Sequence, residues 1–195
     1  MSSAPQILRA TDRVATPWKN GLGVTREIAV HPTGAGLEDF DWRVSMATVD
    51  AGGPFSSFPG IDRNLTVLEG RLSLSVGAAA PVELGPNSPP LAFPGDIPVH
   101  AEMIAGPVTD LNVMTRRGRV QATVERLTID SPIDLSVSET TIIIIRTMGV
   151  DLTYQAREHM LEMNDAIFFH QAARELAQLK PRQPSAIFLV RLTSP

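Results

Sequence analysis

Apolar and polar residues alternate along this chain in short runs, and nearly every run stops at a turn signal. Arg71-Leu72-Ser73-Leu74-Ser75-Val76 is the clearest case, because a period of two puts Leu72, Leu74 and Val76 on one side of an extended strand. In Phe40–Val49, Phe40, Trp42, Val44 and Met46 form one stripe, and Asp41, Arg43, Ser45 and Ala47 form the other. In Val24–Val30, positions 24, 28 and 30 share a face with Arg26, while Thr25, Glu27 and Ala29 look the other way. The 14 Gly and 16 Pro are scattered rather than clustered, so turns recur at roughly 8–12-residue spacing. Helical periodicity is nearly absent. The pattern predicts an all-β chain built as antiparallel sandwiches or barrels.

Two segments depart from simple alternation. Thr141-Ile142-Ile143-Ile144-Ile145-Arg146 is an unbroken β-branched run, the signature of a strand buried on both faces. Full burial of its isoleucines would contribute roughly 6–12 kcal/mol gross. Gln171–Leu179 reads either as a short helix stopped by Pro181 or as a strand. Phe93-Pro94-Gly95-Asp96-Ile97-Pro98-Val99-His100 and Met163-Asn164-Asp165-Ala166-Ile167-Phe168-Phe169-His170 form a weak internal repeat. It suggests one compact unit spanning 1–195 with two lobes, about 1–120 and 121–195, joined by the polar stretch Asp130–Glu139.

A net charge of −4, with no basic block beyond Arg116-Arg117-Gly118-Arg119, argues against nucleic acid as a partner. Without cysteine, disulfides, thiolate metal sites and cysteine nucleophiles are excluded. The first residues lack a signal-peptide pattern, and no apolar run approaches the ~20 residues of a membrane helix. A cytoplasmic protein without a membrane partner is the expectation.

Gly53-Pro54-Phe55-Ser56-Ser57-Phe58-Pro59-Gly60 leads into Asp62-Arg63 and the apolar strand Leu65–Leu68, with Glu69-Gly70-Arg71 expected to turn into the next strand. The motifs Pro17–Ile28, Asp41–Val49, Gly53–Gly70 and Gly106–Gly118 resemble the HutD/Ves family, cupin-like proteins associated with bacterial histidine utilisation. The resemblance covers the first two-thirds of the chain in several ordered motifs. It departs at Leu22, where a third glycine is usual, and at Leu111, where Phe is commoner. It implies a bicupin, two cupin-like β-barrels in one chain with strands exchanged between lobes, and it implies a strand at 171–180.

Enzymatic cupins hold a metal through a His-x-His pair, a Glu and a later His. Here His31, His100, His159 and His170 are far apart, and none lies in Ser56–Asn64. No metal, cofactor or catalytic residue is therefore expected, nor does a Gly-x-Ser-x-Gly elbow occur. What remains is polar. Arg63, Leu65 and Val67 share one strand face; Asp110, Asn112, Met114 and Arg116 share one on another strand. An inward Arg offers a planar fork of donors for a carboxylate, with Asn112 reading an amide or ring nitrogen and Phe55 and Phe58 forming an apolar wall. Asp62, Lys19, Asn20, Arg26, Glu27 and His100 complete the candidate ligand-binding set. A structural reading stands beside this one: Asp62-Arg63 is an ion pair that fixes the loop, Asn20-Gly21 is a turn, and His100 is an ordinary strand residue.

The leading expectation is a non-enzymatic, small-carboxylate-binding protein. The resemblance implies urocanate or N-formylglutamate as ligand and a regulatory role in histidine utilisation. The alternatives are a small-molecule enzyme, either a metal-free isomerase or lyase or a divergent metal cupin, and an interaction module or homodimer acting through a sheet edge.

Overall fold

The computed structural model describes residues 4–18 and 21–195, with the side chains of 139 and 171–173 outside that description. Apart from one 3-10 turn at Ala10–Asp12, its regular structure is all strand. No helix among the described residues is long and apolar enough to cross a membrane. The chain divides into two compact units, one of Arg13–Gln121 and one that joins the residues up to Asp12 to Ala122–Ser194.

The strands before the first long loop are β1 (Gln6–Leu8), β2 (Ala15–Pro17), β3 (Gly23–His31), β4 (Trp42–Val49) and β5 (Gly53–Pro54). Then come β6 (Ile61–Val76), β7 (Val82–Leu84), β8 (Leu91–Pro94) and β9 (Val99–Arg116). The 13–121 unit is a sheet in the order β2-β3-β4-β9-β6-β7, with β5 on β9 and β8 on β6. Its spine is the long antiparallel ladder between β6 and β9.

That ladder overturns an expectation. Glu69-Gly70-Arg71 does not end a strand, and neither does Gly106-Pro107; β6 and β9 run through both. The two turn signals face each other in register, with Glu69 opposite Thr109 and Arg71 opposite Ala105, and the register slips there. Gly70 has φ +74, and a Cβ on it would meet the Pro107 carbonyl oxygen at 2.3 Å, so only glycine fits. Bulges bend the strands that carry them and let the ladder continue beyond, as it does here. Leu65 and Val67 from one arm of β6 thus join Leu72 and Leu74 from the other arm in a single apolar core.

The second unit contains β10 (Gln121–Ile129), β11 (Ile133–Ile145), β12 (Val150–Tyr154), β13 (Arg157–Leu161), β14 (Ala166–Pro181) and β15 (Ser185–Thr193). The strand order is β10-β15-β11-β14-β12-β13, and β1 adds to β14. Gln171–Leu179 is strand, inside β14. The segment 133–139, read from sequence as a polar link, is instead the first half of β11, where Leu135 faces Ala177 and Val137 faces Glu175. All four isoleucines 142–145 are fully buried, and Ile143 and Ile145 point into the core with Leu152, Tyr154 and Phe169.

Neither sheet closes. The strand orders end at β2 and β7 in one unit and at β10 and β13 in the other, and among the described residues no ladder joins those ends. The expected bicupin barrels are therefore open, curled sheets, and only the all-β class stands. The edge strands explain this in the 13–121 unit: β2 and β7 have three residues each, and β2 ends in Pro17, which has no N–H to offer. Bending of the long central strands, rather than closure, brings the apolar side chains together.

The two halves of the internal repeat do the same work in their own units. Asp96 accepts from Arg117 Nη1 at 2.8 Å and from the Gly60 amide at 3.5 Å. Asp165 accepts from Arg9 Nη1 at 2.6 Å, from the Ala10 amide at 2.8 Å and from the Glu162 amide at 3.0 Å. The second clamp holds β1 on its sheet. Replacing the buried Asp165 by Ala strands those donors, so Asp165→Ala should cost about 2–4 kcal/mol in urea unfolding and accelerate amide exchange in Gln6–Leu8. Unchanged exchange there would show that β1 is held by its ladder alone.

Candidate functional site

The rows of the β6–β9 ladder decide which side chains meet. Directly opposed residues in an antiparallel pair point to the same face, and Arg63 faces Met114, Leu65 faces Asn112 and Val67 faces Asp110. Strand β8 extends the first row with Phe93; β4 extends the others with Ser45 beside Asn112 and Ala47 beside Asp110. One face thus carries Arg63, Asn112 and Asp110 in successive rows. Leu65 and Val67 lie between them, and both belong to the apolar core.

Arg63 is 8% exposed and sits among aromatic rings. Its guanidinium carbon lies 4.8 Å from the Phe55 ring centre, 5.4 Å from Phe93 and 5.8 Å from Phe58, within cation–π range of all three. Nε is buried with no hydrogen-bond partner, and among the described residues no carboxylate pairs with the guanidinium. Burial pulls its pKa down to about 10, with the charge of Asp110 acting the other way, so it remains a cation at neutral pH. Gly95 makes room for the stem: a Cβ there would stand 2.9 Å from the Ile61 carbonyl oxygen and 3.4 Å from Arg63 Cδ.

Asp110 is 5% exposed, and no hydrogen bond or ion pair reaches its carboxyl among the described residues. Burial pushes it up to about 7 against the pull of Arg63. Between the two, Asn112 holds a buried Oδ1 that also lacks a donor. A buried cation, a buried acid and an orphan amide oxygen therefore share one face without satisfying one another. In a folded protein such groups are ordinarily paired. Ion pairing inside the chain does not explain this arrangement; a small polar ligand would.

The geometry agrees with what the chain resembles in sequence and structure. A sequence profile of the HutD family matches residues 10–187. The chain belongs to the HutD/Ves family. Protein Ves of Citrobacter koseri is 33% identical over 170 residues, 84% of this chain and 82% of that one. A conserved protein of unknown function from Pseudomonas aeruginosa PAO1 superposes with a TM-score of 0.90 at 32% identity, covering 98% of this chain and all of that one. HutD from Pseudomonas fluorescens SBW25 superposes at 0.83 with 30% identity and the same coverage.

Within this HutD/Ves chain the candidate residues separate cleanly. Arg63, Asp110, Asn112, Phe55 and Phe58 converge. Asp62 does not join them; alternation turns it outward, where Arg117 Nε donates to it at 2.9 Å while Arg117 Nη1 bonds Asp96 at 2.8 Å. Arg117, not Arg63, is therefore the partner of Asp62. Arg116 is a loop fastener, donating to the Phe40 and Glu38 carbonyls at 3.0 and 2.8 Å. His100 is exposed on β9 between the inward Val99 and Ala101, so it points away from the core. Arg26 is exposed and opposes Met46, on the face opposite to Arg63. Glu27 shares the Asn112 row but is bonded to Arg43 Nε at 2.8 Å. Lys19 and Asn20 lie outside the described residues. Phe93 and Gly95 were visible in sequence only as a turn, since nothing local says that β8 lies against Arg63.

A divalent cation does not suit this seat. A fixed guanidinium occupies it, and the nearest donors are one carboxyl and one amide oxygen, short of the ligand set a cupin metal needs. Among the described residues no group of three metal-ligating side chains forms.

The lone acid has a consequence for stability. In the unfolded chain Asp110 titrates near 3.8 and in the folded chain near 7. The folded state therefore binds the extra proton between those values, and stability falls as pH rises through that window and then levels off. Asp110→Asn mimics the neutral acid. It should raise the unfolding free energy at pH 8, on the order of 4 kcal/mol at 1.4 kcal/mol per pH unit, with the gain shrinking toward pH 4. Chemical denaturation at both pH values checks this; an equal effect at both would mean that Asp110 titrates normally.

Proposed function

We propose that this protein binds a small carboxylate at Arg63 and uses the bound state to regulate histidine utilisation without itself being an enzyme. The observation that carries the reading is a buried guanidinium, held by three phenyl rings, with which no carboxylate among the described residues forms an ion pair. The rings fix the plane of the fork and keep water away, so hydrogen bonds to an entering carboxylate form in a medium where they are strong. Phe55 and Phe58 come from the loop before β6 and would cover the apolar part of the ligand.

The metabolic assignment rests on family membership. Urocanate and N-formylglutamate are the natural candidates within histidine breakdown, since each joins a carboxylate to a nitrogen-bearing group that Asn112 can read. A second reading has one observation in its favour. A buried acid held near neutral pH beside a carboxylate anchor is also how a general acid or base is made, which would suit a metal-free isomerase or lyase.

Titration calorimetry with N-formyl-L-glutamate and urocanate tests the first reading. Arg63→Met keeps the aliphatic stem but removes the fork. It should weaken binding roughly a hundredfold, the loss of two charge-assisted hydrogen bonds, while the thermal midpoint stays within a few degrees. Undiminished binding would remove Arg63 from the site. Proton NMR of either compound incubated with the protein separates the second reading, since steady conversion would make the chain an enzyme.

A further inference from the structure

We propose that Asp110 is a second ligand-binding residue of this seat and binds as the neutral acid, so that the carboxylate enters together with one proton. The inference rests on the anion reading above and adds to it the charge balance of binding.

The geometry leads there in three steps. Arg63 and Asp110 project from the same sheet face, with Asn112 in the row between. Arg63 is near enough for its charge to act on Asp110, yet no ion-pair contact joins them among the described residues. With Asp110 ionised, this face holds one buried positive and one buried negative charge. A carboxylate bound to the guanidinium would then bring a second anion into a space with a single cation. Two carboxylates in one buried site cannot both stay ionised. Protonation removes the conflict and turns Asp110 from a repelling anion into an O–H donor. Two acceptors are then at hand: an oxygen of the ligand and the orphan Asn112 Oδ1.

No other described group on this face can supply or cancel the charge. On β6 the neighbouring inward residues are Leu65 and Val67; on β4 they are Ser45 and Ala47; on β3 Thr25 lies in the Asp110 row. The charged members of the face are Glu27 and Arg43, closed on each other at 2.8 Å, and Arg116, farther along β9, which is held by the Phe40 and Glu38 carbonyls and faces Asp41 at 3.9 Å. The covering loop brings Phe55 and Phe58. Glu69, next to the row on β6, is exposed and takes a hydrogen bond from Thr109. Because burial already pushes Asp110 up to about 7, a bound anion needs to raise it only modestly to hold the proton through the physiological range.

The test is calorimetry with N-formyl-L-glutamate, which has no group of its own titrating between about pH 6 and 9. At pH 8 the heat should depend on the ionisation enthalpy of the buffer, compared in phosphate and Tris, with a slope approaching one proton taken up per ligand. The apparent affinity should be flat below about pH 7 and fall roughly tenfold per pH unit above about pH 7.5. In Asp110→Asn, an isostere whose amide can donate in place of the O–H, binding should persist while both dependences vanish. Binding to the wild-type protein with no buffer dependence and a flat pH profile would overturn the proposal and leave Arg63 as the anchor. Loss of binding in a folded Asp110→Asn at every pH would overturn it too, since the residue would then act as an anionic acceptor. If the wild-type protein fails to bind at any pH, the carboxylate reading itself falls, and this inference with it.

Discussion

A guanidinium buried with no ion-pair partner among the described residues is the constraint to which the 13–121 unit is fitted. Desolvating a charge is among the costliest things a fold can do, and here the compensation is partial by design of the surroundings. Three aromatic faces supply quadrupole attraction, and Asp110 supplies a field without a contact. The rings arrive from two places: Phe55 and Phe58 from the loop before β6, and Phe93 from β8 in the row of Arg63. Gly95 keeps its backbone close under the arginine stem, and the Asp96–Arg117 pair next to it ties the β8–β9 turn to the end of β9. The site is thus the meeting point of one long ladder, one turn and one loop.

The bent ladder is what makes such a meeting possible. Straight strands of the length of β6 and β9 would lay their inward residues along one extended face. The coincident irregularities at Gly70 and Gly106-Pro107 fold the ladder on itself, so Leu72 and Leu74 roof the same core that Leu65 and Val67 floor. Asp110 lies beside the bend and Arg63 is enclosed by Phe55, Phe58 and Phe93; burial lowers the pKa of the arginine and raises that of the acid.

How much of this the sequence disclosed depends on the range of the interaction. Alternation is local, and it correctly put Arg63 on a face with Leu65 and Val67, and Asp110 with Asn112 and Met114. The same alternation separates Asp62 from Arg63, so adjacency in sequence was a poor guide to pairing. Glu69-Gly70 read as a turn because a glycine at positive φ serves a hairpin and a bulge equally well. Only the register of the partner strand distinguishes the two. Closure into a barrel was equally out of reach, since it depends on whether edge strands such as Ala15–Pro17 and Val82–Leu84 find each other. Phe93 was missed for the same reason: its role is a cross-strand fact, fixed by the pairing of Arg63 with it.

The second unit shows why the seat exists only once in the described residues. Its clamp at Asp165 repeats the job of Asp96, yet its inward positions on β11 are Val137, Ile143 and Ile145, packed with Leu152, Tyr154, Leu179 and Leu189. Those side chains leave no polar row. His159 Nε2 there is also buried without a hydrogen-bond partner, but no buried cation stands beside it in the core cluster. Burying the isoleucine run yields hydrophobic stabilisation that a polar row would have cost. In the 13–121 unit, Arg63, Asn112 and Asp110 occupy positions where apolar side chains would have stabilised the fold more. A polar row at that cost in one unit, while the other is filled, is what the proposed ligand recognition would account for.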